Sequence, residues 1–237
     1  MRPPIKHRSG ADSRAGLLAL LLVLMVAGET FAQAKPRPRT APPPPPRSRS
    51  IEINGYAMFG RINFTAADSF DVILGEPSGT IFGGGMRVGL PLGGLFLDIG
   101  AWRFRGDGER VFIFEGQEFP LGIPVEVAIT PLELSAGWQF RFRRVPRLRP
   151  YVAGGYTSYS YKETSQFATD DENVDERFPG YHLGGGIEYR IARWVGVGGE
   201  FTWTTVPDAI GESGVSAQFN ETDLGGTTFR FKITIGR

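Results

Sequence analysis

His182, Ser158 and Glu200 are the residues of this chain whose types together could do covalent chemistry. A hydroxyl nucleophile, an imidazole base and an orienting carboxylate are the parts of an acyl-transfer or lipid-hydrolysing site. Pairing of neighbouring strands would set Ser158 opposite His182, with Glu200 one strand further on. No local motif of such an enzyme surrounds His182, so the sequence favours a structural, hydrogen-bonded histidine. The catalytic set is expected to be empty, with this trio as the alternative. A second chemical candidate is the acidic run 169–176, TDDENVDE, where Asp170, Asp171, Glu172 and Asp175 offer the oxygens that hard divalent cations take. It lacks the central glycine of the helix-loop-helix calcium motif. A solvated acidic loop is expected there, with no metal and no cofactor, and a loose surface cation site is the alternative.

A third group is ionic. Arg61, Arg87, Asp98, Glu133, Arg141, Glu188, Arg190, Glu200, Arg230 and Lys232 fall on polar positions of alternating segments. If those positions face inward in a small barrel, the charges must pair, because an unpaired buried ion costs several kcal/mol. The expectation is a salt-bridged plug that blocks flow; a narrow gated polar path is the alternative.

The elements that would hold these residues are strands. Period-two alternation marks eight runs near 53–65, 79–91, 94–105, 129–143, 149–161, 178–191, 194–205 and 224–236. The gaps alternate long (66–78, 106–128, 162–177, 206–223) and short (92–93, 144–148, 192–193). A membrane-crossing strand needs roughly 9–11 tilted residues, and membrane barrels carry short turns on one rim and long loops on the other. Leu134, Trp138 and Phe140, then Leu183, Ile187 and Tyr189, then Phe229, Phe231, Ile233 and Ile235 share the apolar faces of their strands and are expected to meet lipid. Trp138, Tyr151, Tyr159, Tyr161, Tyr189 and Trp203 are expected to form the aromatic girdles. The third strand is irregular, since Trp102 and Phe104 fall opposite Leu95, Leu97 and Ile99; a bulge near Gly100-Ala101 would restore the pattern. Alternation alone also fits a soluble ligand carrier with its apolar side chains inside.

The first 34 residues read as a cleaved secretory signal: Arg2, Lys6, Arg8 and Arg14, then the apolar run 15–28, then Ala32-Gln33-Ala34. Residues 35–50 carry seven prolines and five basic side chains and read as a disordered, extended spacer. Residues 51–237 hold 17 basic and 23 acidic residues, which excludes a strongly basic nucleic-acid binder. The long gaps carry 18 of those acids against three basic residues, and the turn 143–149 carries four arginines. The chain has no cysteine, hence no disulfide frame and no thiolate site. Phe112, Phe114 and Phe119 read equally as an adhesive tip or as strand continuing above a membrane.

The segment Arg149-Pro150-Tyr151-Val152-Ala153-Gly154-Gly155-Tyr156, the strand Tyr181-His182-Leu183-Gly184-Gly185-Gly186-Ile187-Glu188-Tyr189 and the alternating Phe229–Ile235 end, in this order and spacing, resemble the OmpA/OmpX-like outer-membrane β-barrel family. The resemblance covers residues 51–237. It implies an all-β, eight-stranded antiparallel up-and-down transmembrane β-barrel of a Gram-negative outer membrane, monomeric, with outward loops and a structural or surface-contact role. Its partners would be outer-membrane lipid and the barrel-insertion machinery; apart from the resemblance, the basic linker 35–50 has the alternative reading of an arm that touches cell wall, anionic lipid heads or a surface ligand. The chain departs from the family's usual terminal aromatic, ending Ile235-Gly236-Arg237.

Overall fold

The structure, a computed structural model, describes residues 51–114, 117–165, 174–211 and 214–236. The signal and spacer expected over 1–50 lie outside these. Eight strands form one closed sheet, each paired antiparallel with its neighbours in sequence and the last with the first. They are β1 (Glu52–Phe64), β2 (Ser78–Gly89), β3 (Leu95–Phe114), β4 (Gln117–Gln139), β5 (Leu148–Thr164), β6 (Val174–Arg190), β7 (Val195–Thr205) and β8 (Gly226–Gly236). Closure pairs Gly55 with Ile235 and Arg61 with Phe229, so no sheet edge stays open in the body of the barrel.

Short turns cluster on one rim. The β2–β3 turn needs Gly93 at φ 83° and Gly94 at φ 141°, backbone that side-chain-bearing residues adopt only under strain. At the opposite rim two short helices occupy expected loops: α1 (Ala67–Leu74) between β1 and β2, and α2 (Gly214–Phe219) between β7 and β8. Glu221 anchors the start of α1 by accepting from the Asp68 and Ser69 backbone N–H groups at 3.1 and 2.9 Å. The first N–H groups of a helix lack internal partners, so a carboxylate from another loop satisfies them.

The expected long loop 106–128 is instead a hairpin. β3 and β4 continue to pair as far as Phe114 and Gln117, with one register shift between Glu109 and Val111. No bulge occurs near Gly100-Ala101; the β2–β3 and β3–β4 registers run through it unbroken. Trp102 and Phe104 simply point inward and are buried.

Outward positions form an apolar belt. Phe59, Phe82, Leu97, Ile99, Leu134, Leu183, Phe201 and Ile233 all lie exposed on it. On β6 and the residue that follows it the belt runs from Tyr181 to Ile191, which at about 3.3 Å per residue and ~40° of tilt is roughly 25 Å, the height expected of a lipid-facing band.

Candidate functional site: the filled lumen

Parity sends alternate residues of each strand into the lumen, and the side chains there form two layers. The layer nearer the short turns is ionic. Arg230, only 1% exposed, grips Glu133 with two parallel hydrogen bonds of 2.6 and 2.7 Å. Its Nη1 also lies 3.5 Å from Glu200, which accepts from Lys232 Nζ and Tyr151 Oη, both at 2.7 Å. Arg87 donates to Asp98 at 2.9 Å and lies between the rings of Phe96 and Tyr151, 4.1 and 4.3 Å from their centroids. Tyr56 donates to the other Asp98 oxygen at 2.6 Å. Arg190 pairs with Glu188 at 2.7 Å and donates to Asn54 at 2.9 Å. The buried set is therefore four cations against four carboxylates, each charge within an ion pair. That balance is what a low-dielectric interior demands, since each desolvated ion is costly unless paired and hydrogen-bonded.

The layer nearer the long loops is apolar. Trp102 roofs the ions: its Nε1–H donates to Glu133 at 2.7 Å, and the Tyr159 ring meets it edge-on at 5.9 Å. Above lie Ile62, Ile81, Phe104, Val127 and Ile129, all buried. Phe64 stacks on Phe70 of α1 at 3.9 Å, and Val206 and Leu224 complete the cap. Glycine makes the space: a Cβ at Gly85 or at Gly100 would stand 2.5 Å from the Tyr56 hydroxyl, a clash backbone cannot relieve without moving the ring. Two cavities in the ionic half, one beside Tyr56 and Lys232 and one at the mouth beside Arg190, measure about 10 and 20 Å³. Each has room for about one water.

Several sequence expectations are corrected here. Arg61 is not in the lumen. It shares the outward parity of Phe59 and sits one row above the belt, bonded to Glu76 and Ser78 at 2.7 and 2.6 Å with its side chain 56% exposed. Arg141 has inward parity but lies at the short-turn mouth, half exposed and paired with Glu52 at 2.9 Å. Tyr151 and Tyr159 are buried lumen residues, and Tyr161 packs against the same apolar core, so none of them belongs to a girdle. Outward aromatics include Trp138, Tyr189, Trp194 and Phe142 toward the short turns and Tyr156, Tyr181 and Trp203 toward the loops.

The catalytic trio does not assemble. Ser158 pairs with Pro179, whereas His182 pairs with Gly155. The odd-numbered offset between them puts the serine on the outer face and the histidine on the inner one, since one residue of slip exchanges faces. His182 lies between two hydroxyls absent from the sequence expectations, Ser135 Oγ at 2.7 Å and Thr157 Oγ1 at 2.6 Å. Both are legible once the register is known, because they flank His182 on β4 and β5 with inward parity. Asp170, Asp171 and Glu172 lie outside the described residues, as does the Phe114 side chain; Asp175 is paired with Lys162 at 2.6 Å. Among the described residues no three His, Asp or Glu side chains converge as a metal site requires.

Comparison with known proteins gives the fold. A major outer membrane protein from Thermus thermophilus superposes with a TM-score of 0.51 at 12% identity, covering 79% of this chain and all of that one. The attachment invasion locus protein Ail of Yersinia pestis, crystallised with the heparin analogue sucrose octasulfate, gives 0.44 at 10% identity over 79% of this chain and 97% of its own. The N-terminal barrel domain of Pseudomonas aeruginosa OprF gives 0.42 at 12% identity over 78% and 97%. No family model and no curated protein matches the chain.

Proposed function

We propose that this chain is an outer-membrane barrel of a Gram-negative-type envelope, closed to ion flow and without chemistry of its own, serving structural support or surface contact. The observation that carries this is the double filling of the lumen: balanced ion pairs around Arg230, roofed by Trp102 and an apolar layer. An apolar belt outside and paired ions inside suit a cylinder standing in hydrocarbon, because lipid leaves no water to satisfy an edge or an outward charge. A secretory signal over 1–34 would deliver the chain across the inner membrane, and the Pro/Arg-rich spacer 35–50 would lie on the periplasmic side. The short turns would then face the periplasm and the helix-bearing loops the exterior. Phe112 and Phe119, exposed near the tip of the β3–β4 hairpin, would be the surface-contact residues. Separation of Ser158 from His182 supports the non-enzymatic reading.

Planar-bilayer recordings of the refolded protein test the proposal. The expected result is a flat baseline after insertion, with insertion verified by heat-modifiable migration of the same sample. Steady single-channel steps would overturn the closed lumen. Recovery of the protein in a soluble fraction after a mild wash of the envelope would overturn the membrane location.

A further inference from the structure

The outward face is not uniform. Across β2 to β5 it carries a groove of about 440 Å³, walled by Met86, Val88, Leu97 and Leu134 and floored by Ala136 and Gly154, which stand opposite each other in the β4–β5 register. Met86, Leu97 and Leu134 stand proud of that floor, each about half exposed. A depression in a hydrocarbon-facing wall forfeits dispersion contacts unless an apolar chain fills it. Toward the short-turn rim the same two strands continue through Trp138 opposite Val152, and then Phe140, whose backbone N–H donates to the Pro150 carbonyl at 2.8 Å. Directly beyond is the turn bearing Arg143, Arg144 and Arg147, all exposed. The sequence between Leu134 and Lys162 contains no acidic residue, and Glu52, a carboxylate at this rim, is taken up by Arg141 and Arg149. Seven residues separate Ala136 from Arg143 and Gly154 from Arg147, roughly 18 Å along the barrel axis at about 3.3 Å per residue and ~40° of tilt, close to the depth of one leaflet with its headgroups. Trp138 lies between them, where an amphipathic ring marks the boundary between hydrocarbon and headgroups.

We propose that groove and turn together bind an anionic phospholipid of the leaflet facing the short turns, one acyl chain lying over Ala136 and Gly154 and the phosphate held by Arg143, Arg144 and Arg147. The inference rests on the membrane reading above. Charge selects the headgroup. A zwitterionic lipid carries an amine that offsets its phosphate, whereas phosphatidylglycerol presents net negative charge to three arginines free of acidic neighbours on their own turn. The apolar groove supplies residence and the arginines supply preference, so the two can be separated by mutation.

The test is native mass spectrometry of the protein refolded into vesicles of equimolar phosphatidylglycerol and phosphatidylethanolamine and then gently solubilised. The wild type should retain one phosphatidylglycerol in preference to phosphatidylethanolamine. Ala136→Leu, which fills the groove from its floor, should lower retention of either lipid severalfold. The combined Arg143→Ser, Arg144→Ser and Arg147→Ser variant should still retain a lipid but lose roughly tenfold or more of the preference. Each protein is checked first for heat-modifiable migration and for resistance to carbonate wash. A chain that washes off the vesicles refutes the membrane reading itself. An inserted, folded barrel that holds no phosphatidylglycerol, or an Ala136→Leu variant that holds as much as wild type, overturns the groove. Unchanged preference in the arginine variant overturns the headgroup contact.

Discussion

Replacing Arg230 with methionine should destabilise the barrel by about 3–5 kcal/mol, read as a fall in the urea midpoint of the gel-shift transition in lipid vesicles. The cause is not the loss of one favourable bond. Arg230 holds Glu133 through both nitrogens and leans on Glu200, and all three are buried. Methionine fills much the same space but leaves Glu133 with a single donor, the Trp102 indole, and no neutralising charge. A double variant that adds Glu133→Gln should recover much of the loss, because residues in one ion cluster are strongly non-additive. Arg61→Ser supplies the contrast. Its pair with Glu76 is solvent-exposed, and such pairs are worth at most about 1 kcal/mol. Equal midpoints for the Arg230 and Arg61 variants would show that the lumen is wet.

The second large effect is expected at Trp102. Trp102→Ala should cost about 3–5 kcal/mol, since it empties the roof above the ions and few side chains there can collapse into the void. It also takes a donor from Glu133. Trp102→Phe keeps most of the volume and loses only the N–H, so its cost should be near 1–3 kcal/mol, the penalty for a buried acceptor stripped of a partner. Stability should therefore fall in the order wild type, Phe, Ala. The alanine variant should also be the first to show intermittent conductance in planar bilayers, since Trp102 separates the ionic half from the apolar cap. A Trp102→Ala barrel as stable as wild type would mean the roof is not packed.

The strand count and the rims are legible because outward-facing and lumen-facing residues alternate without interruption on β6 and β8. Phe229, Phe231, Ile233 and Ile235 share one face, as their spacing implies, and that face is the outer one. What alternation leaves open is where the surroundings change along a strand. Arg61 keeps the parity of Phe59, yet it follows the last apolar outward residue of β1 and meets Glu76 and Ser78, so a charge on the outer face is tolerated. On β3 the same change makes Arg103 and Arg105 outward and Trp102 and Phe104 inward. The sequence pattern breaks there only because polarity inverts while parity holds. Tyr151 and Tyr159 escape the pattern for a related reason: a tyrosine suits both a headgroup boundary and a lumen, and which it meets depends on parity relative to neighbouring strands. The Ser158–His182 pairing failed on register, which the loop between β5 and β6 does not fix. The Ser135–His182–Thr157 contacts span three consecutive strands and follow from the β4–β5 and β5–β6 registers together, which no local window of sequence contains.

The orientation of the side chains is tested most directly by spin labels placed at Phe229→Cys, Phe231→Cys, Ile233→Cys and Ile235→Cys in a chain that has no cysteine of its own. Collision rates with oxygen, which concentrates in hydrocarbon, are compared with those for a water-soluble nickel chelate, the protein being folded in lipid vesicles. The account predicts that oxygen dominates at all four positions and is highest at the middle pair, Phe231 and Ile233. Dominant collisions with the nickel chelate at these positions, or labels immobilised and shielded from both reagents as in a packed interior, would contradict it.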